Sequence, residues 1–219
     1  DIRDGNLTAD NDFSDVANGQ WHNKAISTMA KLGIVKGRRA DRFDPDASIT
    51  RAEFAAICAR FNTKPVENSG SFSDISGHWA ENEIERAAAF GWISGYPDGT
   101  FRPDQSITRQ QFAVMLYRHL GVDGAQYEDV TLPFADSGQI GEYARTAVKA
   151  LYSMGVLTGS QENGKLYFHP AGSLTRAQAA TMIGRTQSKG YAQAELSFTD
   201  ADSIPAYAAY YIRTMLAQK

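Results

Sequence analysis

Three arginines stand in the same local setting along this 219-residue chain: Arg51, Arg109 and Arg176, each directly after a Thr. The pattern Thr-Arg-x-Glu/Gln spans 50–53, 108–111 and 175–178 and reads each time as the start of a helix. Thr is a good N-cap, and Glu or Gln three residues on completes a capping box. An apolar residue before each cap (Ile49, Ile107, Leu174) faces one at the fourth helical position (Phe54, Phe112, Ala179) as a hydrophobic staple. Each Arg therefore takes the first helical position. A cation is mildly unfavourable there, because the helix N-terminus already carries positive partial charge. Unpaired N–H groups plus a guanidinium make an anion site, suited to a carboxylate or a phosphate. The competing reading is structural, with each Arg paired to an Asp of a neighbouring unit such as Asp74 or Asp136. Three recurrences in register favour a shared acidic ligand. On that reading Arg109 is an exposed charge, so Arg109→Ala is expected to weaken ligand binding and leave Tm within a few degrees.

Other chemistry is sparse. His22, His78, His119 and His169 have no recurring metal spacing, and a surface or packing role is the better expectation. Asp41, Asp44 and Asp46 lack the Gly and terminal Glu of an EF-hand loop. The lone Cys58 lies on an apolar helix face and reads as core, and one cysteine excludes an intrachain disulfide framework. No nucleophile elbow, phosphate loop or dinucleotide fingerprint is present, so neither an enzyme nor a cofactor is expected. Net charge is −3, which suggests no nucleic-acid partner, and no apolar run is long enough to insert into a membrane. The sequence begins at Asp1 without an initiator Met and reads as a processed form or an excised piece.

The elements that position the arginines are repeats. Phe-x-Asp occurs at Phe13–Asp15, Phe72–Asp74, Phe134–Asp136 and Phe198–Asp200, with an aromatic following each: Trp21, Trp79, Tyr143 and Tyr207. A helix pattern ends at Gly33, Gly91 or Gly155, and a second Gly follows at Gly37, Gly95 and Gly159. A loop then closes on Phe43-Asp44-Pro45, Phe101-Arg102-Pro103 or Phe168-His169-Pro170 before the Thr cap. The aromatics at the head of the first helix are expected to be core by default, with one edge able to stack on a sugar. Units this short cannot bury their apolar faces alone, so one all-α body of tandem helix–loop–helix repeats around a shared core is expected. The division is a lead at 1–12, units at 13–61, 72–120 and 134–186, linkers at 62–71, 121–133 and 187–197, and the first helix of a fourth unit at 198–219.

Phe-x-Asp, the Trp ahead of the first helix, Gly95-Tyr96-Pro97-Asp98-Gly99-Thr100-Phe101 and Ile49-Thr50-Arg51-Ala52-Glu53 together resemble the S-layer homology family of bacterial cell-surface proteins. The resemblance covers Phe13 to about Arg185 as three motifs, plus the start of a fourth. It implies a pseudo-threefold helical spindle that anchors a protein outside the cell. The anchor is non-covalent binding of secondary cell-wall polysaccharide, often through a pyruvylated amino sugar. The ketal pyruvate is a carboxylate, in agreement with the anion site above. Carried over by residue, the implied ligand-binding set is Arg51, Arg109 and Arg176, with Asp15, Asp74, Asp136, Trp21, Trp79, Gly37, Gly95 and Gly159 as companions in grooves between motifs. A close backbone approach by the sugar is the expected reason for those glycines.

Unit two keeps the pattern best. Unit one replaces the turn with Arg38-Arg39-Ala40-Asp41-Arg42, and unit three carries an insertion at Ser160–Leu166 and Tyr143 in place of Trp. Gln111 and Gln178 replace the Glu, which preserves the capping box and removes a negative charge beside an anionic ligand. Two alternatives stand beside the anchor reading. One is a self-assembly module of a surface layer whose partners are other subunits. The other is the attachment part of a larger extracellular enzyme.

Overall fold

A computed structural model describes residues 8–61 and 72–188. The linkers 62–71 and 187–197 and the partial fourth unit at 198–219 therefore lie outside the described residues, apart from the end of the last helix. Six helices follow in order: α1 (Asn23–Lys31), α2 (Arg51–Arg60), α3 (Glu81–Ala89), α4 (Arg109–Leu120), α5 (Glu142–Ser153) and α6 (Arg176–Ser188). The expected starts of α2 and α4 are present, since both form complete capping boxes, through Thr50 with Glu53 and Thr108 with Gln111. Thr175 and Gln178 exchange the same two bonds at α6. Gly33, Gly91 and Gly155 sit at φ of +72°, +72° and +63°, the left-handed stop that only glycine reaches without strain.

The chain is helix-rich but not all-α. The insertion in unit three folds as an antiparallel hairpin, β1 (Ser160–Glu162) with β2 (Lys165–Tyr167). Asn163-Gly164 at its tip takes positive φ at both residues, the turn chemistry that lets strands this short pair. The 121–133 segment is also more than a connector. It carries a 3-10 turn at Gly124–Tyr127 whose Tyr127 ring is buried beside α5.

Units pack as a closed circuit. The second helix of each unit lies against the first helix of the next: α2 on α3, α4 on α5, and α6 back on α1. Main-chain bonds repeat the circuit at the centre. Ile49 N–H donates to Leu174 O (2.9 Å), Leu174 N–H to Ile107 O (3.4 Å) and Ile107 N–H to Ile49 O (3.0 Å). The staple residues Ile49, Phe54, Ile107, Phe112, Leu174 and Ala179 are all buried in one core, as is Cys58. One cluster, made by three units that each lack the apolar area to fold alone, is what short repeats require.

His119, at the end of α4, packs between the rings of Phe61 and Trp92. Its buried Nδ1 has no hydrogen-bond partner among the described residues, and burial lowers its pKa to about 4 from an ordinary 6.5. A base held neutral in the fold contributes stability above its unfolded pKa, and that stability is lost as pH falls toward the folded value. Between pH 7.5 and 5 this amounts to about 2 kcal/mol. Urea unfolding at the two pH values is expected to show that loss, and His119→Phe is expected to remove about that much of it.

Candidate functional site

The phenylalanine that closes each loop is fixed at both ends of its own peptide. Phe101 N–H donates to Asp74 Oδ1 at 2.7 Å, while Phe101 O accepts from Arg51 Nε at 2.7 Å. Phe168 repeats this with Asp136 (2.8 Å) and Arg109 (2.6 Å), and Phe43 with Asp15 (2.9 Å) and Arg176 (2.8 Å). Each guanidinium also lies over the ring of the same Phe, at 4.5, 5.4 and 4.4 Å from its centroid. Asp and Phe belong to one unit and Arg to the unit before it, so the arginines are the clasps of the circuit. The Asp carboxylates form no ion pair with these arginines and are spent on main-chain N–H groups instead. Their second oxygens accept the N–H of Asp44, Arg102 and His169. Those three residues take φ of 56–58° although none is Gly, a conformation that costs roughly 1–2 kcal/mol and needs such a clamp.

Two expectations are corrected by this geometry. The arginines are not exposed charges: Arg51, Arg109 and Arg176 are 4%, 8% and 6% accessible, and burial lowers the pKa of all three guanidinium groups. Nor are the helix N-termini open. The first two amides of α2 donate to Gln105 O and Pro103 O, those of α4 to Gly172 O and Pro170 O, and those of α6 to Ala47 O and Pro45 O. Neighbouring carbonyls thus satisfy the N–H groups that a free anion site needs. Any anion must be held by the guanidinium ends alone.

Those ends differ. Arg176 engages all three of its nitrogens, with Nη1 on Glu53 Oε1 (2.7 Å) and Nη2 on Lys36 O (2.7 Å). Arg51 uses Nη2 on Ser94 O (3.0 Å), and its Nη1 has no hydrogen-bond partner among the described residues. Arg109 uses Nε alone, so both terminal nitrogens lack a hydrogen-bond partner among the described residues.

The second glycines have an internal reason. A Cβ at Gly37, Gly95 or Gly159 would stand 2.5–2.7 Å from the ring of Phe13, Phe72 or Phe134 and against a backbone carbonyl. Glycine is set there by packing of the Phe-x-Asp ring, which needs no sugar. The aromatics depart from expectation in the other direction. Trp21, Trp79 and Tyr143 are 65%, 59% and 62% exposed and are not core. Burial on the core side of α1, α3 and α5 falls instead to Ile26, Ile84 and Val148.

Two grooves between units are well formed, and each draws on all three units. A cavity of about 300 Å³ is lined by Arg51, Gly95, Tyr96, Gln111, Arg118 and Tyr143. Another, of about 730 Å³, is lined among others by Gly37, Arg38, Glu53, Arg60, Trp79 and Arg176. An exposed aromatic plate beside a partly sheltered guanidinium suits a sugar ring bearing a charged group. Arg60 and Arg118 were not anticipated. A second arginine nine residues after the first, at Arg60, Arg118 and Arg185, was the signal that would have found them. They donate to Ile34 O, Ser94 Oγ and Val156 O respectively. Among the described residues no group of His, Cys, Asp and Glu is arranged to hold a metal, and no helix is long and apolar enough to cross a membrane.

Known proteins share these units. The chain is 35% identical over 180 residues to an amylopullulanase of Thermoanaerobacterium thermosulfurigenes, covering 80% of this chain and 9% of that protein. It is 36% identical over 130 residues to a cellulosome-anchoring protein of Acetivibrio thermocellus, covering 55% and 29%. An S-layer protein of Bacillus licheniformis is 28% identical over 196 residues, covering 89% and 22%. The chain thus spans less than a third of each. The family model described as "S-layer homology domain" matches residues 12–55, 71–113 and 133–180, and each match holds the Asp and Phe of one clasp and the Arg of another. With more than half its length in those three matches, the chain belongs to the S-layer homology domain family.

Proposed function

We propose that the chain anchors a longer protein by binding acidic, pyruvylated cell-wall polysaccharide in the grooves between pseudo-threefold-related units. Family membership carries the coarser part of this reading: a non-catalytic anchoring module that works outside the cell, at the cell surface. The finer part rests mainly on one observation. The groove of Arg51 sets two guanidinium groups, Arg51 and Arg118, beside the exposed Tyr143 ring with no carboxylate in its lining. A carboxylate on a stacked sugar would meet unspent donors there, and no internal acid competes. Arg109, with two nitrogens unpartnered among the described residues, offers the same chemistry at the next junction. The Asp and Gly positions act indirectly, by holding the loop that shapes each groove. Several relatives are named as enzymes, which favours this chain being the attachment part of a larger extracellular protein.

Arg109→Ala would confound folding with binding, so the exposed aromatics are the better probes. Tyr143→Ala is expected to weaken co-sedimentation with purified cell walls roughly tenfold while leaving Tm unchanged within about 2 °C. Mild acid removal of ketal pyruvate from the walls is expected to abolish most binding to the unaltered chain. Binding indifferent to both changes overturns the reading.

A further inference from the structure

Unit one has a cavity of its own. About 730 Å³ in volume, it lies between the lead at 10–13, the end of α1 and the loop at 35–40, within one unit rather than between units. Its outer wall is held by α1, through three buried polar side chains spent on the lead. Asn23 Nδ2 donates to Ala9 O (3.2 Å), Ser27 Oγ accepts from Asn11 Nδ2 (2.8 Å) and Thr28 Oγ1 accepts from Thr8 N–H (3.1 Å). Unit two has Glu81, Glu85 and Arg86 at these positions, and unit three has Arg145, Lys149 and Ala150. This seat for the lead is particular to unit one.

So is the charge. Lys31, Lys36, Arg38 and Arg39 line the cavity. Counted from the two repeated glycines, unit two has Ala89, Ser94, Tyr96 and Pro97 at those four positions, and unit three has Ser153, Thr158, Ser160 and Gln161. The fold is thus built twice without any of the four cations. Arg38 has a firm internal use, with bonds of 2.8 and 3.1 Å to Glu53 and one of 2.9 Å to Ser48 O. Arg39 is exposed and reaches Asp44 only at 3.7 Å, while its loop closes through main-chain bonds with Arg42. The side chains of Lys31 and Lys36 are exposed and have no ion pair or hydrogen bond among the described residues. Asp10 and Asp12, the two carboxylates of the lining, pair with none of these cations among the described residues.

The cavity adjoins the groove of Arg176, with which it shares Val35, Lys36, Gly37 and Arg38. From this placement we infer that unit one holds an accessory anion site for a wall polymer. Lys31, Lys36 and Arg39 take a carboxylate or a phosphate on the stretch of polymer that runs on from the groove, beyond the sugar seated between units. This rests on the polysaccharide reading above and adds a second point of attachment to it. An ammonium group is a point charge that accepts an anion without fixed geometry. Each such contact is weak in water, so the site works by summed contacts along one polymer. A short glycan that ends in the groove gains nothing from it.

The test compares the whole chain with the triple variant K31A/K36A/R39A. Two probes distinguish the anion: an oligogalacturonate, which carries carboxylates, and a linear polyphosphate. The backbone amide signals of Lys36–Arg39 are followed by NMR during each titration. In the unaltered chain these signals are expected to shift with at least one probe, and the probe that moves them identifies the anion. The variant is expected to bind that probe about tenfold more weakly, with the difference closing as salt is raised. Because the three side chains are exposed, its Tm is expected to stay within about 2 °C. Co-sedimentation of the variant with purified walls is expected to weaken by roughly tenfold as well. Silence toward both probes, equal affinity of the two proteins, or undiminished wall binding by the variant overturns the inference. If the variant loses wall binding while Tyr143→Ala and ketal removal leave it intact, this site stands and the reading of the Arg51 groove falls.

Discussion

Arg176→Ala is expected to destabilise the chain by about 3–5 kcal/mol, the cost of removing one partner from a buried ion pair. The side chain is 6% accessible and holds Phe43 O, Lys36 O and Glu53 at once. All three acceptors belong to the first unit, so the substitution opens the circuit at its closing junction. Loss of cover over the Phe43 ring adds to the effect. A fall in Tm of about 10 °C by calorimetry is the measurable form for a protein of this size. Arg176→Lys is expected to recover less than half of it. An ammonium group is a single charged point and cannot span three acceptors as the guanidinium fork does. A Tm change below about 2 °C for the alanine variant would show that the closing contact carries no energy.

The second large effect is at Asp136. Its carboxylate accepts from Phe168 N–H at 2.8 Å and His169 N–H at 2.7 Å, in a site 6% accessible. Asp136→Ala leaves two shielded amides without acceptors and is expected to cost about 3 kcal/mol. Asp136→Asn is expected to rescue little, because one oxygen becomes an NH₂ that faces a second donor. The clamp also holds His169 in the left-handed region at φ 56°. His169→Gly removes that strain, so in the Asp136→Ala background it is expected to return about 1 kcal/mol, while alone it changes stability little. Chemical denaturation of the four proteins gives the cycle. Additive losses would separate the clamp from the strained residue.

Much of this architecture is legible in the sequence, for a physical reason. Caps and stops are written in residues next to the backbone they satisfy, so Thr50–Glu53 and Gly33 declare helix ends without knowledge of the tertiary fold. Partners far along the chain leave no such local trace. Arg51 looks like a free cation at a helix start, and only the packed neighbour reveals Phe101 O and Ser94 O beneath it. For the same reason the amides of α2, α4 and α6 look open in sequence and are closed in the fold. Trp21 and Trp79 mislead in the opposite sense. Their size and place ahead of a helix suggest core, yet the inward positions are already filled by Ile26 and Ile84. Trp79 and Tyr143, which the core does not need, stand instead in the linings of the two grooves between units. Gln111 in place of Glu was visible from the start. The long-range partner of Glu53 was not, because Glu53 binds an arginine 123 residues away.

That distance bears on how the molecule is made. Phe43 and Arg176 are 133 residues apart, and α1 packs against α6, the last helix among the described residues. At a synthesis rate of about 5–20 residues per second, the first unit waits on the order of ten seconds for the helix that covers it. Until then the inward faces of α1 and the Phe43 loop have no lasting occupant, and a chain released after two units exposes both open ends of the circuit. Such a fragment is an unfinished ring with adhesive edges. Ring closure across so long a loop is therefore expected to be the slow, late step of folding.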